Sequence, residues 1–287
     1  MQEITSGYGL IEAPVWDDEQ GLYFSDVLNG GVWRLGLDGA TSPVVPRRRG
    51  VGGMALHAAG GLVMSGRDIS YVGLAGEGGS VLLGLEGADG AIGFNDLTTD
   101  RAGRIYVGSL AFRVFGGDEP KPGKLFRIDL DGSVKAISDG VMLTNGLGFS
   151  PDGTRLYHSD SRAPGVRVYD VGADGAVGPW RLFATLGERS TPDGLKVAGD
   201  GSVWVADARG GRVAVFEPDG AHRMDVKVPL PMVTSLCFGG GDLRDLYIVT
   251  GSDGGPRENC GTIFRLRVEV PGLPLSPARV AVRPLPG

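Results

Sequence analysis

Two carboxylates and one amide stand out because they occupy corresponding places in a repeated pattern. Glu12, Asn145 and Asp193 each lie ten or eleven residues before a strand of alternating apolar character. Oxygen-only ligand sets select a hard cation, above all Ca²⁺ or Mg²⁺, with Mn²⁺ as a further candidate and Zn²⁺ less suited. Three protein ligands leave positions open for water or substrate, as a catalytic metal requires. The pattern therefore predicts one divalent metal ion.

The same residue types also have purely structural uses. Polar side chains at strand starts can satisfy buried backbone groups around a water-filled channel, and Asp in Pro-Asp-Gly commonly forms a turn. We interpret Asp152 in this way, because its Pro-Asp-Gly falls between two strands. Asp193 also follows a proline, but it stands in the register of Glu12 and Asn145, which favours a functional position.

The strands that must position these side chains repeat six times along the chain. Similar strands occupy residues 22–26, 62–66, 105–109, 156–160, 203–207 and 246–250. A period in the forties, with four short strands per unit, is typical of a propeller blade. The sequence therefore predicts an all-β fold, a six-bladed β-propeller with a divalent metal at its central channel.

One position in each unit marks the start of the innermost strand. Rotation about a common axis relates these positions in a propeller, so their side chains should converge on the channel. They are Glu12, Gly53, Asn95, Asn145, Asp193 and Ser235, and five of the six carry oxygen-bearing side chains. Gly53 leaves two interpretations open, space for a ligand or relief of crowding at the axis.

The whole chain, residues 1–287, is predicted to form a single domain. A propeller closes its ring because an open ring leaves unpaired strand edges. Residues 2–10 have no partner in their own unit, so we expect this N-terminal strand to complete the last blade beside residues 245–268. The 51 glycines and 18 prolines fall at turns between apolar strands, as in an all-β protein.

The net charge and the absence of targeting signals limit the partners and the location that we expect for this protein. A net charge of -6 and a pI near 5.2 argue against a nucleic-acid groove or an anionic membrane surface as partner. The first residues lack the basic and apolar regions of a signal peptide, and no apolar run reaches eighteen residues. We expect a cytoplasmic monomer or homodimer that acts on a small molecule, with Cys237 and Cys260 unpaired.

The connection 110–122 is much longer than the neighbouring turns. Long loops in compact domains are usually functional or disordered, and Phe112 and Phe115 favour function. We predict a lid over the channel mouth in which Phe112 and Arg113 meet the substrate. A loop packed flat on its blade is the alternative.

Other chemistry-bearing residues do not form a set. The three histidines occupy different registers, so no Ser-His-Asp arrangement is indicated, and no dinucleotide or Walker A phosphate motif is present. Asp26, Asp160 and Asp207 share the end of the second strand in their units. We predict that they hydrogen-bond to neighbouring loops, and the alternative is that they support the side chains of the channel site.

Five motifs occur in chain order at the blade spacing: Glu12-Ala-Pro-Val-Trp, Phe94-Asn-Asp96, Asn145-Gly-Leu-Gly-Phe-Ser-Pro-Asp-Gly153, Pro192-Asp-Gly-Leu and Ser235-Leu-Cys-Phe-Gly-Gly. As a set they resemble the senescence marker protein (regucalcin), gluconolactonase and luciferin-regenerating enzyme family. The resemblance spans nearly the whole chain. It implies a six-bladed propeller, one divalent metal, often calcium, and hydrolysis of lactones or related esters.

The resemblance also implies roles for single residues. Glu12 and Asn145 match the family's metal ligands, and Asp193 matches an aspartate that is both ligand and proposed acid/base. Asn95 matches an asparagine that lines the substrate site. We therefore expect a metal that polarises a lactone carbonyl and stabilises the oxyanion, and Asp193 as general base for the attacking water.

One position departs from the family pattern. Sugar lactonases that resemble regucalcin commonly have arginine just before Phe-Asn-Asp, where it contacts substrate hydroxyls, whereas this chain has Gly93. Either Arg113 compensates or the substrate is a lactone less polar than an aldonolactone. The alternative functions are metal-dependent ester or phosphotriester hydrolysis at the same site, and a non-enzymatic propeller that binds calcium or a protein.

Overall fold

The fold is a six-bladed β-propeller, as the repeats predicted. In a computed structural model, which describes residues 1–74, 78–163 and 165–282, the chain forms six four-stranded antiparallel sheets. Each sheet is one blade, and its strands follow one another outward from the channel. One single-turn 3₁₀ helix, Leu85–Gly87, interrupts the described strands.

The strands are numbered in chain order. The N-terminal strand is β1 (Gln2–Tyr8). Blade one is β2 (Ile11–Asp17), β3 (Gly21–Asp26), β4 (Val32–Leu35) and β5 (Thr41–Val45), and blade two is β6 (Met54–Leu56), β7 (Leu62–Met64), β8 (Ile69–Val72) and β9 (Gly79–Leu83). Blade three is β10 (Gly93–Thr99), β11 (Ile105–Leu110), β12 (Gly123–Ile128) and β13 (Val134–Val141).

The remaining blades have the same order. Blade four is β14 (Thr144–Phe149), β15 (Arg155–Asp160), β16 (Gly165–Val171) and β17 (Val177–Thr185), and blade five is β18 (Pro192–Val197), β19 (Val203–Asp207), β20 (Arg212–Phe216) and β21 (His222–Lys227). Blade six is β22 (Val233–Gly239), β23 (Asp245–Thr250) and β24 (Gly261–Arg267), with β1 as its outermost strand.

The ring is closed by the two ends of the chain. Strand β1 pairs antiparallel with β24, from Gln2 opposite Arg265 to Tyr8 opposite Gly261. This pairing gives blade six the same four strands as the other blades. Because strands from both ends of the chain share the sheet of blade six, the ring cannot open without breaking a strand ladder.

The hydrophobic core lies between blades. Among the described residues it consists of six clusters, each shared by two adjacent blades. In one of them, Tyr106 and Leu125 of blade three pack with Leu147 and Leu156 of blade four. Each inner strand is therefore held by apolar packing on both sides, which keeps the residues at its start in place.

The C-terminal segment 271–282 crosses one end of the channel. Gly272 N donates to Leu243 O (2.7 Å), Leu273 N to Val197 O (3.2 Å) and Ala278 N to Leu56 O (2.8 Å), so the segment contacts blades six, five and two. It lies at the ends of the inner strands. The starts of those strands face the opposite end, which leaves that end as the open mouth.

Candidate functional site

The starts of the inner strands line a cavity of about 740 Å³. Glu12 of β2, Asn95 of β10, Asn145 of β14 and Asp193 of β18 all lie in its wall. Four of the six predicted channel positions thus share one cavity. The other two, Gly53 and Ser235, are buried near the axis and are not among its described lining residues.

Each of the four side chains lies where its strand is irregular. The pairing register breaks between Glu12 and Val15, Phe94 and Leu97, Thr144 and Leu147, and Pro192 and Leu195. A β-bulge places an extra residue in one strand and re-aims its side chains. In blade one, Ala13 adopts a φ of 54°, in the left-handed region. These bulges let polar side chains reach the cavity from strands that are otherwise apolar.

Glycines beside these residues allow the inner strands to approach closely. A Cβ on Gly146 would lie 2.1 Å from Leu195 N, and one on Gly194 would lie 2.1 Å from Ser235 Oγ. A Cβ on Gly53 would lie 2.5 Å from Leu97 N in the next blade. The structure therefore decides between the two interpretations of Gly53, because this glycine relieves crowding at the axis.

Three buried carboxyl groups interact around the channel. Burial raises the pKa of Glu12 well above its ordinary value, and the nearby charges of Asp193 and Asp96 raise it further. Burial likewise raises the pKa of Asp193, and the charge of Asp96 raises it further. The pKa of Asp96 rises to about 6, mainly through burial, although the ammonium of Lys196 opposes this. The effect of Asp96 on the other two carboxyl groups was not predicted from the sequence, where its only signal is its place after Asn95.

Two amides are tied to each other and to a serine. Asn95 Nδ2 donates to Thr144 O (2.8 Å) and to Asn145 Oδ1 (3.3 Å). Asn145 Nδ2 donates to Ser161 Oγ (3.0 Å), and that hydroxyl donates to Pro192 O (2.6 Å). These bonds leave a lone pair of Asn145 Oδ1 for a ligand. Ser161 could not be identified from the sequence, because its partners Asn145 and Pro192 come from other strands.

The residues present fit a hard divalent cation. Glu12, Asn145 and Asp193 are only 9%, 8% and 6% exposed, yet they line the same cavity. Asp193 Oδ1 is buried without a hydrogen-bond partner in the described structure. Buried carboxylates that repel each other and an orphaned carboxylate oxygen are groups that a cation would satisfy.

A metal site at the channel would need the amide oxygen of Asn145 as a ligand. In the described part of the chain, no three His, Cys, Asp or Glu side chains are grouped closely enough to hold a metal ion by themselves. Asn145 would therefore have to supply an oxygen beside Glu12 and Asp193. The metal at the channel stays a prediction.

The loop 110–122 lies at the cavity mouth. Leu110, Phe112, Arg113, Val114 and Phe115 all line the cavity. The ring of Phe112 is buried, at 3% exposure, whereas Phe115 is 75% exposed. Movement of the loop as a lid stays a prediction.

Arg113 is held within this loop. Its Nη2 donates to Asp118 Oδ1 (2.6 Å) and its Nε to Asp118 Oδ2 (3.0 Å). This ion pair lowers the pKa of Asp118 to about 2, chiefly through the hydrogen bond from Arg113. The charge that sequence analysis assigned to the substrate is therefore already paired.

Two further arginines line the cavity and were not singled out from the sequence. Arg162 follows β15, and its Cζ lies 5.8 Å from the centroid of the Phe112 ring. Arg209 follows β19 on the next blade. Each stands two residues after an aspartate at the end of a second strand, and that shared spacing is the signal from which they could have been found.

The aspartates at the ends of the second strands anchor loops, which confirms the prediction for them. Asp26 accepts from Gly9 N (2.9 Å), Asp160 from Leu143 N (3.0 Å) and Asp207 from Thr191 N (3.0 Å). In each case the donor lies just before an inner strand. The three carboxylates therefore fix the loops that lead into Glu12, Asn145 and Asp193.

The histidines are dispersed, as predicted. His57 hydrogen-bonds to Val280 O, buried His158 to Thr144 Oγ1, and exposed His222 to Asp225. Cys237 and Cys260 are both free, which confirms that expectation too. No helix in the described residues is long and apolar enough to span a membrane.

Comparison with known proteins gives consistent matches over most of the chain. The family description "SMP-30/Gluconolactonase/LRE-like region" matches residues 10–252. A pentonolactonase of Haloferax volcanii is 32% identical over 92% of each chain. A 6-deoxy-6-sulfogluconolactonase of Pseudomonas putida is 34% identical over 91% of this chain and 92% of its own.

A solved structure has the same fold. The crystal structure of a calcium-binding protein, regucalcin, from Agrobacterium tumefaciens superimposes with a TM-score of 0.83 and 21% identity, covering 97% of this chain and 96% of its own.

Proposed function

Because this chain belongs to the SMP-30/gluconolactonase/LRE-like family, we propose that it is a metal-dependent hydrolase that opens a lactone ring. Two of its relatives are lactonases, whose names specify a pentonolactone and a 6-deoxy-6-sulfogluconolactone as substrates. The substrate class that this supports is a small sugar-derived or related lactone.

The observation that carries the proposal is the orphaned carboxylate oxygen of Asp193. It lies buried in the wall of an open cavity, with no hydrogen-bond partner in the described structure, beside Glu12 and Asn145. A buried carboxylate oxygen without a partner is costly for a fold, so it usually serves a ligand or a reaction. In this cavity it would serve both.

Glu12, Asn145 and Asp193 would hold the metal, through two carboxylates and an amide oxygen. A divalent cation bound there would polarise the lactone carbonyl and offset the charge that develops on its oxygen. Calcium is the favoured ion because oxygen-only ligation suits it, and because a structural relative is described as calcium-binding. Magnesium, manganese and zinc are the other candidates.

Asp193 would take the proton from the attacking water. The burial that raises its pKa makes it a stronger base than an exposed carboxylate, which suits general base catalysis. Asn95, whose amide is fixed by Thr144 and Asn145, would orient the substrate in the same wall. Positioned proton transfer of this kind contributes roughly 10²–10⁴-fold in rate.

The mouth would bind the rest of the substrate. Phe112 presents a buried ring for apolar contact. Arg113 would contribute through Nη1, which does not take part in its hydrogen bonds to Asp118. Phe112 and Arg113 would therefore both contact the substrate.

Elemental analysis combined with activity measurement tests the proposal. The protein is purified without chelator and analysed for metals. A pH-drop assay then covers five- and six-membered lactones with Ca²⁺, Mg²⁺, Mn²⁺ or Zn²⁺ added, and with EDTA. We expect the purified protein to contain bound metal and to hydrolyse lactones. EDTA should abolish this activity, and added metal should restore it. Turnover of aryl esters or phosphotriesters but not of lactones would overturn the proposed substrate class. A protein with neither bound metal nor turnover would overturn the proposal that the chain is an enzyme.

A further inference from the structure

We propose that Arg162 and Arg209 form a subsite for a negatively charged substituent of the substrate, such as a carboxylate, sulfonate or phosphate. This inference rests on the proposed lactonase function, which it makes more specific. The two guanidinium groups would bind a part of the lactone away from the reacting carbonyl.

The two arginines are equivalent by the symmetry of the propeller. The positions two residues past the repeated segments 22–26, 62–66, 105–109, 156–160, 203–207 and 246–250 correspond in the sequence repeat. In chain order they are Leu28, Asp68, Ala111, Arg162, Arg209 and Ser252. Arginine occurs there on blades four and five alone. Those adjacent blades also supply Asn145 and Asp193, so both cations lie on the side of the cavity that holds the proposed reacting groups.

The charges of these arginines are uncompensated within the described structure. Neither guanidinium has a carboxylate within ion-pair distance, and neither donates a side-chain hydrogen bond there. Arg113, on the same mouth, is by contrast ion-paired with Asp118 through Nε and Nη2. The guanidinium of Arg162 rests over the Phe112 ring, a contact that orients its flat donor edge without using its donors.

Two acidic side chains also line this mouth, but they do not neutralise the charges of the two arginines. Glu188 and Asp253 face the same cavity, and neither forms an ion pair with Arg162 or Arg209. Both acids therefore remain separate groups along the rim. A negatively charged substituent reaches unopposed donors only where the two guanidiniums lie.

The remaining wall favours one orientation of such a substrate. Val27 of blade one, and Ile92, Phe112 and Val114 of blade three, line the cavity with apolar surface. A charged substituent would lose hydration there without gaining a partner. Guanidinium groups match the planar oxygen pairs of carboxylate, sulfonate and phosphate with two parallel hydrogen bonds. The charged end of the lactone therefore points to blades four and five.

The test compares two lactones that differ in one charged group. D-Glucono-1,5-lactone and its 6-phosphate are assayed with wild type, Arg162→Gln, Arg209→Gln and the double variant, in the metal-loaded enzyme. Arg189→Gln is the matched control, since Arg189 is exposed near the same mouth but does not line the cavity. We expect the ratio of kcat/KM values, phosphorylated over neutral, to fall by roughly 10- to 100-fold in the double variant, mostly through KM. The control should keep the wild-type ratio.

Binding of the ring-opened products separates this inference from the proposed function. Calorimetry compares 6-phosphogluconate with gluconate in the same variants, and it needs no turnover. Preferential binding of the phosphorylated acid that the double variant loses supports the subsite even if neither lactone is hydrolysed, in which case the lactonase proposal alone falls. Equal losses for both lactones, or product binding that is indifferent to the phosphate, would overturn the subsite while leaving lactone hydrolysis intact.

Discussion

The amide Nδ2 of Asn145 donates a hydrogen bond of 3.0 Å to the hydroxyl of Ser161. This bond fixes which end of the amide faces the hydroxyl and so which end faces the cavity. Because the same hydroxyl donates to Pro192 O (2.6 Å), it also ties blade four to the residue that precedes Asp193. One side chain therefore positions two of the three proposed ligands.

Replacement of this serine should weaken the proposed metal site without removing a ligand. In Ser161→Ala the amide of Asn145 loses the partner that orients it, so we expect metal affinity to fall by about 10- to 100-fold. Calorimetric titration of the chelator-treated protein with Ca²⁺ measures this. Ser159→Ala is the matched control, because the buried Ser159 hydroxyl has no partner in the described structure. Equal affinity in both variants would contradict a positioning role.

Replacement of Asp193 should abolish turnover while the fold survives. Asp193→Asn keeps the shape of the side chain but removes the base and a charged ligand, so we expect kcat to fall by roughly 10²-fold or more. The circular dichroism spectrum should match that of wild type, and the urea midpoint should be no lower than that of chelator-treated wild type, because burial of the Asp193 carboxylate is itself unfavourable. Asp152→Asn, in the turn between β14 and β15, provides a control that should retain activity. An active Asp193→Asn enzyme would refute the assignment.

A methyl group on Gly146 should disturb the contact between two blades. Its Cβ would lie 2.1 Å from Leu195 N, a backbone atom that cannot move aside easily. We expect Gly146→Ala to lower the free energy of unfolding by at least about 1–3 kcal/mol. Urea denaturation measures the change. Gly241→Ala is the control, since no atom lies within 4 Å of its Cβ position, and a similar loss there would argue against the close approach as the cause.

The buried carboxyl of Asp96 should make the stability of the chelator-treated protein depend on pH. Its pKa in the fold is about 6, above the ordinary value of 3.8, so the folded state binds the proton more tightly than the unfolded state. Stability should therefore fall as pH rises from about 4 to about 6, by about 3 kcal/mol for this group. Asp96→Asn should remove that part of the loss and be more stable than wild type at pH 7.

Urea midpoints between pH 4 and pH 8 check this sign. The difference between wild type and variant isolates Asp96 from Glu12 and Asp193, whose raised pKa values act in the same direction. Asp38→Asn, in an exposed turn, controls for the loss of one negative charge. Parallel pH curves for wild type and Asp96→Asn would show that Asp96 is not the titrating group.

Sequence reasoning was most effective where the structure repeats. Alternating strands, turns and a period in the forties are features of the sequence itself, and six copies of them indicate a propeller before any contact is known. Rotation about one axis then brings Glu12, Asn145 and Asp193 together, although they are far apart in the chain. The candidate site could be inferred because the symmetry of a propeller brings equivalent positions together, whereas in most folds only long-range contacts show which residues meet.

Tertiary structure decided whatever depends on contacts between different blades and loops. The sequence by itself determined the fold class and the converging ring, because both follow from local patterns repeated at a fixed spacing. It could not show that Asp118 engages Arg113, that Ser161 supports Asn145, or that Gly53 relieves a clash with Leu97. Those outcomes depend on how one blade packs against the next, and no periodicity within a single strand encodes that distance.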